Sequence, residues 1–290
     1  MGILSDHPFV KMNGLGNEIV VVDMRSSPNR ITAADARSAA AGVRYDQLMA
    51  VYPPRSADTD AFVRIFNNDG SEAGACGNGM RCVADILLNE SSRTALAVET
   101  PAGILNCWPG KTRLTATVDM GRPRFRWDEI PLAVAVPDTQ AIDLPISLDG
   151  RPVLHSPSVV SMGNPHAVFW VEDVNAYDLC RLGPLAENHP IFPERANISL
   201  VYVTAPDHLI VRTWERGAGL TRACGSAACA SLVCGSRMEK AGRAATVTLP
   251  GGDLYIEWRA DDRVLMTGPV EYEFEGRFDP ALFTAEEPGR

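Results

Sequence analysis

No stretch of the 290-residue chain approaches the roughly 18 consecutive apolar residues that a membrane-spanning helix needs. The opening MGILSDHPFVKMNGLGNEIV carries Asp6, Lys11 and Glu18, so it lacks the uninterrupted apolar core of a secretion signal. The expectation is a soluble, cytoplasmic protein with no membrane partner. A basic excess is missing as well: 27 Lys and Arg are dispersed among 36 Asp and Glu, for a formal charge of −9. That argues against nucleic acid, because phosphate binding needs clustered cations. There is no Cys-x-x-Cys pair. The seven cysteines (76, 82, 107, 180, 224, 229 and 234) are odd in number, which favours thiols over a disulfide framework. Their closest spacings are five and six residues with no His nearby, which argues against structural zinc. Low-complexity tracts and flexible linkers are absent too. With 46% hydrophobic and 22% charged residues the composition is that of a globular chain, long enough for two domains with substantial cores.

What the chain does have is an internal duplication. VRIFNNDGSEAGACG (Val63 to Gly77) aligns with VRTWERGAGLTRACG (Val211 to Gly225), pairing Val63 with Val211, Arg64 with Arg212, Phe66 with Trp214 and Cys76 with Cys224, each 148 residues apart. Upstream, GNEIVVVD (from Gly16) runs beside GNPHAVFW (from Gly163) at an offset of 147. An offset this constant, near half the chain, marks two homologous halves joined near residues 122 to 150. Each half opens on an extended apolar run (Ile19 to Val22; Ala167 to Val171) and later has a strand-like segment (Phe62 to Phe66; Leu209 to Trp214). A glycine-containing loop, a Cys-Gly pair and a proline-free stretch suited to a helix follow in each half (Gly79 to Leu88; Ala227 to Lys240). Further strands are predicted at Thr112 to Val118, Val153 to Val160, Ala245 to Leu249, Leu254 to Trp258 and Val264 to Gly268. Strands outnumber helices, so the fold class is α+β, with each half wrapping sheet around a helix.

The two Cys-Gly elements carry the chemistry. A thiol at a helix N-terminus sits among free backbone N–H groups at the positive end of the helix dipole, which lowers its pKa from about 8.5 toward neutrality. The glycines of CGNG and CGSA let the backbone approach a ligand and aim N–H groups at an anion. Cys82, Cys107, Cys180, Cys229 and Cys234 are read as structural. Two equivalent thiols suit one task in particular. Inverting a stereocentre through deprotonation needs a base on one face of the carbon and an acid on the other.

At this point the sequence resembles a known family. KMNGLGNEIVVVD (Lys11 to Asp23), FNNDGSEAGACGNGMRC (Phe66 to Cys82), GNPHAV (Gly163 to Val168) and ERGAGLTRACGSAACA (Glu215 to Ala230) are similar, in this order and across both halves, to the signature segments of the diaminopimelate epimerases. The resemblance implies two pseudo-symmetric domains, each a β-sheet or barrel around a central helix, with the active site in the cleft between them. Residues 1–125, continued by about 270–290, form one half, and 126–269 the other. It also implies interconversion of LL- and meso-diaminopimelate for lysine and peptidoglycan synthesis, with no pyridoxal phosphate or other cofactor and no metal. Carried over by motif position, Cys76 and Cys224 are the base and acid pair. His166 sits beside the reacting centre, and Glu215 shares in catalysis and in substrate recognition with Arg216. Asn17, Gln47, Asn67, Asn164 and Asn197 are substrate ligands, and Gly77, Asn78, Gly225 and Ser226 are donors at the carboxylate. Three departures bear on the distal end of the substrate: Asn13 where His is usual, Leu220 where a polar residue is common, and CGSAACA where CGTGACA is frequent.

The alternatives fit less well. Proline and hydroxyproline racemases, the runner-up with histidine-type racemases, typically show CGHG where this chain has CGNG, and they lack the GLGN opening. The isomerase-like protein of phenazine biosynthesis lacks the cysteine pair. A binding module that had lost catalysis would not need two thiols. A Rossmann dehydrogenase fails because Gly217 to Gly219 is not followed by the third glycine or a βαβ unit. The partner is thus a small amino-acid substrate. A homodimer is compatible with the sequence.

Overall fold

The computed structural model describes residues 2–91 and 93–283. The chain divides into two units, one formed by the described residues of Met1–Val118 and Gly268–Arg290, the other by Asp119–Thr267. The first unit runs β1 (Pro8–Asn13), β2 (Glu18–Asp23), α1 (Ala33–Gly42), β3 (Gln47–Tyr52), β4 (Ala61–Asn67), β5 (Glu72–Ala73), α2 (Gly77–Glu90), β6 (Leu96–Thr100), β7 (Gly103–Pro109) and β8 (Thr115–Asp119). The second opens with a hairpin of β9 (Ile146–Leu148) and β10 (Arg151–Leu154). It continues with β11 (Ser158–Ser161), β12 (Pro165–Trp170), α3 (Leu179–Glu187), β13 (Asn197–Ala205), β14 (His208–Glu215), β15 (Gly219–Leu220) and α4 (Gly225–Arg237). Strands β16 (Ala244–Leu249), β17 (Gly252–Trp258) and β18 (Val264–Pro269) follow. Finally β19 (Glu271–Arg277) returns to the first unit, antiparallel to β1.

Element for element, the units repeat one topology. Pairing runs antiparallel, parallel, antiparallel, parallel, antiparallel, antiparallel through β1-β2-β3-β4-β6-β7-β8. The same series recurs through β11-β12-β13-β14-β16-β17-β18. A parallel pair needs a crossover, and a helix supplies each one: α1, α2, α3 and α4.

The strand trio β2-β3-β4 is covered on both faces, which explains why its sequence reads as apolar runs and not as alternation. Val20, Val22, Leu48, Ala50 and Tyr52 join a core with Ala36 and Ala39 of α1. The intervening residues face α2, where Gly79 lets the helix approach β3. A Cβ there would lie 2.5 Å from Met49 Sδ. Along α2, Met80, Val83 and Leu87 are buried at helical spacing, and each such side chain contributes about 1.5–3 kcal/mol. Ten of the thirteen residues of α4 are buried, so this helix is apolar all round and belongs in a core; it packs against β11, β12, β13, β14, β16 and β17. Sheet around a helix is therefore the observed plan, and the α+β class holds.

Two differences from the sequence reading have local causes. Val153 to Val160 is not one strand but the end of β10 and the start of β11, because Pro157 has no N–H to give and Ser156 turns at φ 50°. Helices α1 and α3 come in addition to the two that the sequence predicts. Helix α1 starts at a capping box, Asp35 N–H to Thr32 Oγ1 at 3.2 Å and Thr32 N–H to Asp35 Oδ2 at 2.9 Å.

Candidate active site

The residues singled out from the sequence occupy corresponding element ends in the two units. Asn17 and Asn164 immediately precede β2 and β12, and Gln47 and Asn197 open β3 and β13. Asn67 and Glu215 close β4 and β14, and Cys76 and Cys224 are the N-caps of α2 and α4. Parallel pairing aligns Ile19 with Gln47, and likewise His166 with Asn197, while Gln47 faces Asn67 in the antiparallel register. Polar side chains from three adjacent strands thus gather at one end of each sheet, beside a helix start.

In the first unit Cys76 is extended (φ −147°, ψ 102°), and its Sγ accepts the Gly79 N–H at 3.3 Å. The same sulfur stands 3.8 Å from both Asn17 Oδ1 and Gln47 Oε1, either of which accepts the S–H. Those amides are held from behind. Asn17 Nδ2 donates to Asp46 Oδ2 at 3.0 Å, which also takes the Glu18 N–H at 2.8 Å, and Gln47 Nε2 donates to Asn67 Oδ1 at 3.2 Å. Asn17 closes a tight hairpin turn whose central residues, Leu15 and Gly16, have φ of 64° and 86°. Gly77 and Asn78 are the first residues of α2, where N–H groups have no intrahelical acceptor; Asn78 Oδ1 accepts from the buried Arg81 at 3.0 Å.

In the second unit a chain of hydrogen bonds leads to Cys224. His166 Nε2 lies 3.0 Å from Asn164 Oδ1, Asn164 Nδ2 donates to Ser226 Oγ at 3.4 Å, and Ser226 Oγ stands 3.5 Å from Cys224 Sγ. With the Asn164 oxygen facing it, Nε2 carries the proton, and the buried Nδ1 has no hydrogen-bond partner among the described residues. His166 is 0% exposed, and burial, followed by the charge of Arg216, pushes its pKa down to about 3. The ring is neutral at physiological pH. Asn197 is engaged at both ends of its amide, donating to Pro165 O at 3.0 Å and accepting the Arg216 N–H at 3.0 Å. Glu215 Oε1 accepts from Thr221 Oγ1 at 2.6 Å, and Arg216 donates to Glu194 O at 3.0 Å.

The thiols correct one expectation. A helix start was expected to lower the pKa of each cysteine, yet Cys224, 5% exposed, is raised well above the ordinary thiol value. Burial is the larger cause and the Glu215 carboxylate the next; the Ser226 hydroxyl and the Ala227 N–H pull the other way and lose. A helix terminus supplies only about half a charge, less than full desolvation takes away. Burial also pushes the Cys82 and Cys234 thiols up to about 12, as suits structural cysteines.

The diaminopimelate epimerase family profile matches residues 9–126 and 158–273. A diaminopimelate epimerase of Rhodopseudomonas palustris (strain BisB18) is 61% identical over 286 residues, covering 98% of this chain and 99% of that protein. The chain belongs to the diaminopimelate epimerase family. A second relative of that name, from Nitrobacter hamburgensis, is 59% identical over 288 residues, covering 98% of this chain and 99% of its own. Among solved structures, a hydroxyproline epimerase from Agrobacterium vitis shares the fold with a TM-score of 0.68 at 15% identity, over 95% of this chain and 93% of that one. A phenazine biosynthesis protein of the PhzF family from Enterococcus faecalis does so with a TM-score of 0.65 at 14% identity, over 94% and 98%. Within the diaminopimelate epimerase fold, three residues missed in the sequence support the site: Asp46 behind Asn17, Thr221 on Glu215, and Glu187 behind the Glu215–Gly217 turn. Asp46 and Glu187 sit outside the motifs and act on residues distant in the chain, while Thr221, inside the Glu215 to Ala230 segment, acts across a turn, so no local signal marks their roles.

Proposed function

We propose that this chain interconverts LL- and meso-diaminopimelate by a two-base reaction of Cys76 and Cys224, without a cofactor, in lysine and peptidoglycan biosynthesis. One observation carries the reading: each cysteine stands at the N-cap position of the buried central helix of its unit, at equivalent points of a duplicated topology. In this reading the unit of Met1–Val118 with Gly268–Arg290 and the unit Asp119–Thr267 are the two epimerase halves. A thiolate takes the α-proton from one face of the carbon, the C–H electron pair spreads into the carboxylate as an enediolate, and the opposite thiol gives its proton to the other face. Helix-start N–H groups at Gly77, Asn78, Gly225 and Ser226 stabilise the carboxylate charge as it grows.

Cys224, raised by burial and by Glu215, holds its proton at rest and is the acid of the first turnover. Once it has given that proton, the Ser226 hydroxyl and the Ala227 N–H favour the thiolate. A substrate ammonium against Glu215 cancels the charge that opposes it. His166 is a neutral group beside the centre, and Asn17, Gln47, Asn67, Asn164, Asn197 and Arg216 complete the polar surround that a doubly zwitterionic substrate requires in exchange for water.

The test is deuterium incorporation from solvent at the α-carbon of LL-diaminopimelate, run beside proline and histidine. Exchange is expected with diaminopimelate alone, and Cys76→Ala and Cys224→Ala each abolish epimerisation. Racemisation that survives either substitution, or exchange with proline and not diaminopimelate, overturns the mechanism or the substrate respectively. The reading includes a cytoplasmic protein that pairs as a homodimer through β19, where six of seven residues are exposed and Tyr272 and Phe274 stand 48% and 47% open. Light scattering checks this: a monomeric mass for the native protein refutes it.

A further inference from the structure

Helix α3 ends on a carboxylate that its position disfavours. Glu187 is the last helical residue, where the negative end of the dipole repels an anion, and it is 5% exposed, where an unpaired charge is strongly disfavoured. Three donors compensate it. Trp214 Nε1–H reaches Oε2 at 2.7 Å, Gly217 N–H reaches Oε1 at 2.9 Å, and Arg195 reaches Oε1 at 3.3 Å. Trp214 and Gly217 bracket Glu215 and Arg216, so the carboxylate spans the turn that carries both. The clamp has further parts. One turn earlier on the same helix face, Gly183 lies against the Trp214 ring so closely that a Cβ would sit 2.4 Å from Cγ, and Asn197 takes the Arg216 N–H at 3.0 Å. Arg195 has φ 59°, a conformation that a non-glycine residue keeps when surrounding contacts over-determine it, and Gly217 supplies the φ of 75° that the turn takes.

We propose that Glu187 is a positioning residue for the reaction: it locks the Trp214–Gly217 turn and thereby sets where the Glu215 carboxylate stands against Cys224 and where Arg216 meets the substrate. The inference rests on the roles given to Glu215 and Arg216 above. It accounts for a charge kept in an unfavourable place, since an apolar residue there would pack without constraining the turn.

Two variants separate reach from charge. Glu187→Asp keeps the negative charge but is one methylene shorter and cannot span Trp214 and Gly217 together. Glu187→Gln keeps the length but can turn an NH2 toward a donor. The first readout needs no substrate: the pH profile of Cys224 alkylation by a small reagent, followed by mass spectrometry of its peptide. Glu215 raises this thiol, so losing its placement moves the profile to lower pH. Glu187→Asp and Glu215→Gln shift it in the same direction, and the double variant shifts it no further than Glu215→Gln alone. The second readout is kcat/KM for LL-diaminopimelate, expected to fall between about tenfold and a hundredfold in Glu187→Asp, the scale of a misplacement near 1 Å. Glu187→Gln/Trp214→Phe, which removes the donor left facing the amide, recovers part of the loss of Glu187→Gln.

An alkylation profile unchanged in Glu187→Asp, or a shift that adds fully to that of Glu215→Gln, overturns the clamp. So does a variant that is merely less stable to heat, with kinetics and profile intact. A native protein inactive on diaminopimelate whose alkylation profile still responds as described would sink the substrate reading and leave the clamp standing.

Discussion

Replacing His166 by Gln isolates a single buried titration. Burial holds this imidazole at a pKa of about 3, against about 6.5 in the unfolded chain. The folded value is depressed, so between pH 6.5 and 3 the unfolded chain binds more protons than the native one. Stability is therefore full above pH 6.5 and falls as the solution is acidified through that window. Linkage puts the loss from His166 at about 1 kcal/mol at pH 5.5 and about 3 kcal/mol at pH 4.5. Glutamine can still donate an N–H to Asn164 Oδ1 and does not titrate, so His166→Gln should escape this part of the acid loss. Carboxylates that weaken the fold in acid are common to both proteins and cancel in the comparison. The assay is urea unfolding at pH 7.5 and pH 4.5, followed by tryptophan fluorescence. Four of the five tryptophans, Trp127, Trp170, Trp214 and Trp258, lie in the unit that contains His166. The native protein is expected to lose about 3 kcal/mol more than the variant between the two pH values. Equal losses would mean that His166 charges freely in the folded state, and the neutral ring assigned to it at the site would be wrong.

Gly183→Ala is expected to cost about 1–3 kcal/mol by forcing a methyl into the Trp214 ring, and to raise KM because the Glu215–Arg216 turn moves with that ring; thermal melts and steady-state kinetics check both. Thr32→Ala removes the side-chain acceptor of the α1 capping box, lowering stability by about 1 kcal/mol with kcat and KM unchanged, since this cap touches no site residue. Asp46→Ala leaves Asn17 Nδ2 and the Glu18 N–H without their acceptor, so KM is expected to rise severalfold at temperatures where the variant is still fully folded. A KM at the native value in Asp46→Ala would show that Asn17 is held by its hairpin turn alone.

Much of the architecture can be read from local pattern. The runs Ile19 to Val22, Phe62 to Phe66 and Leu209 to Trp214 fall inside β2, β4 and β14, and the Cys-Gly pairs sit at the starts of α2 and α4. Strand length, β-branched content and freedom from proline are properties of neighbouring residues, and so are legible. Helix α1 carried a readable signal, Thr32 three residues before Asp35, but its alanine-rich body has no strong apolar stripe; α3 contains Pro184, which speaks against a helix when read alone. Glu187 and Asp46 look like ordinary surface acids in the sequence. Their roles depend on Trp214, Gly217 and Asn17, which only folding brings near.

The sequence by itself determined the duplication, the two thiols at matching helix starts and the family, because a repeated spacing and a set of motifs survive without coordinates. Tertiary structure decided the charge states. The same local element, a cysteine before a helix, was expected to be acidic at both positions, and at Cys224 burial and the Glu215 carboxylate reverse that. His166 is likewise made neutral by its surroundings and not by its neighbours in the chain. Desolvation scales with how completely a group is enclosed, and charges act through space, so neither is encoded at the position that titrates.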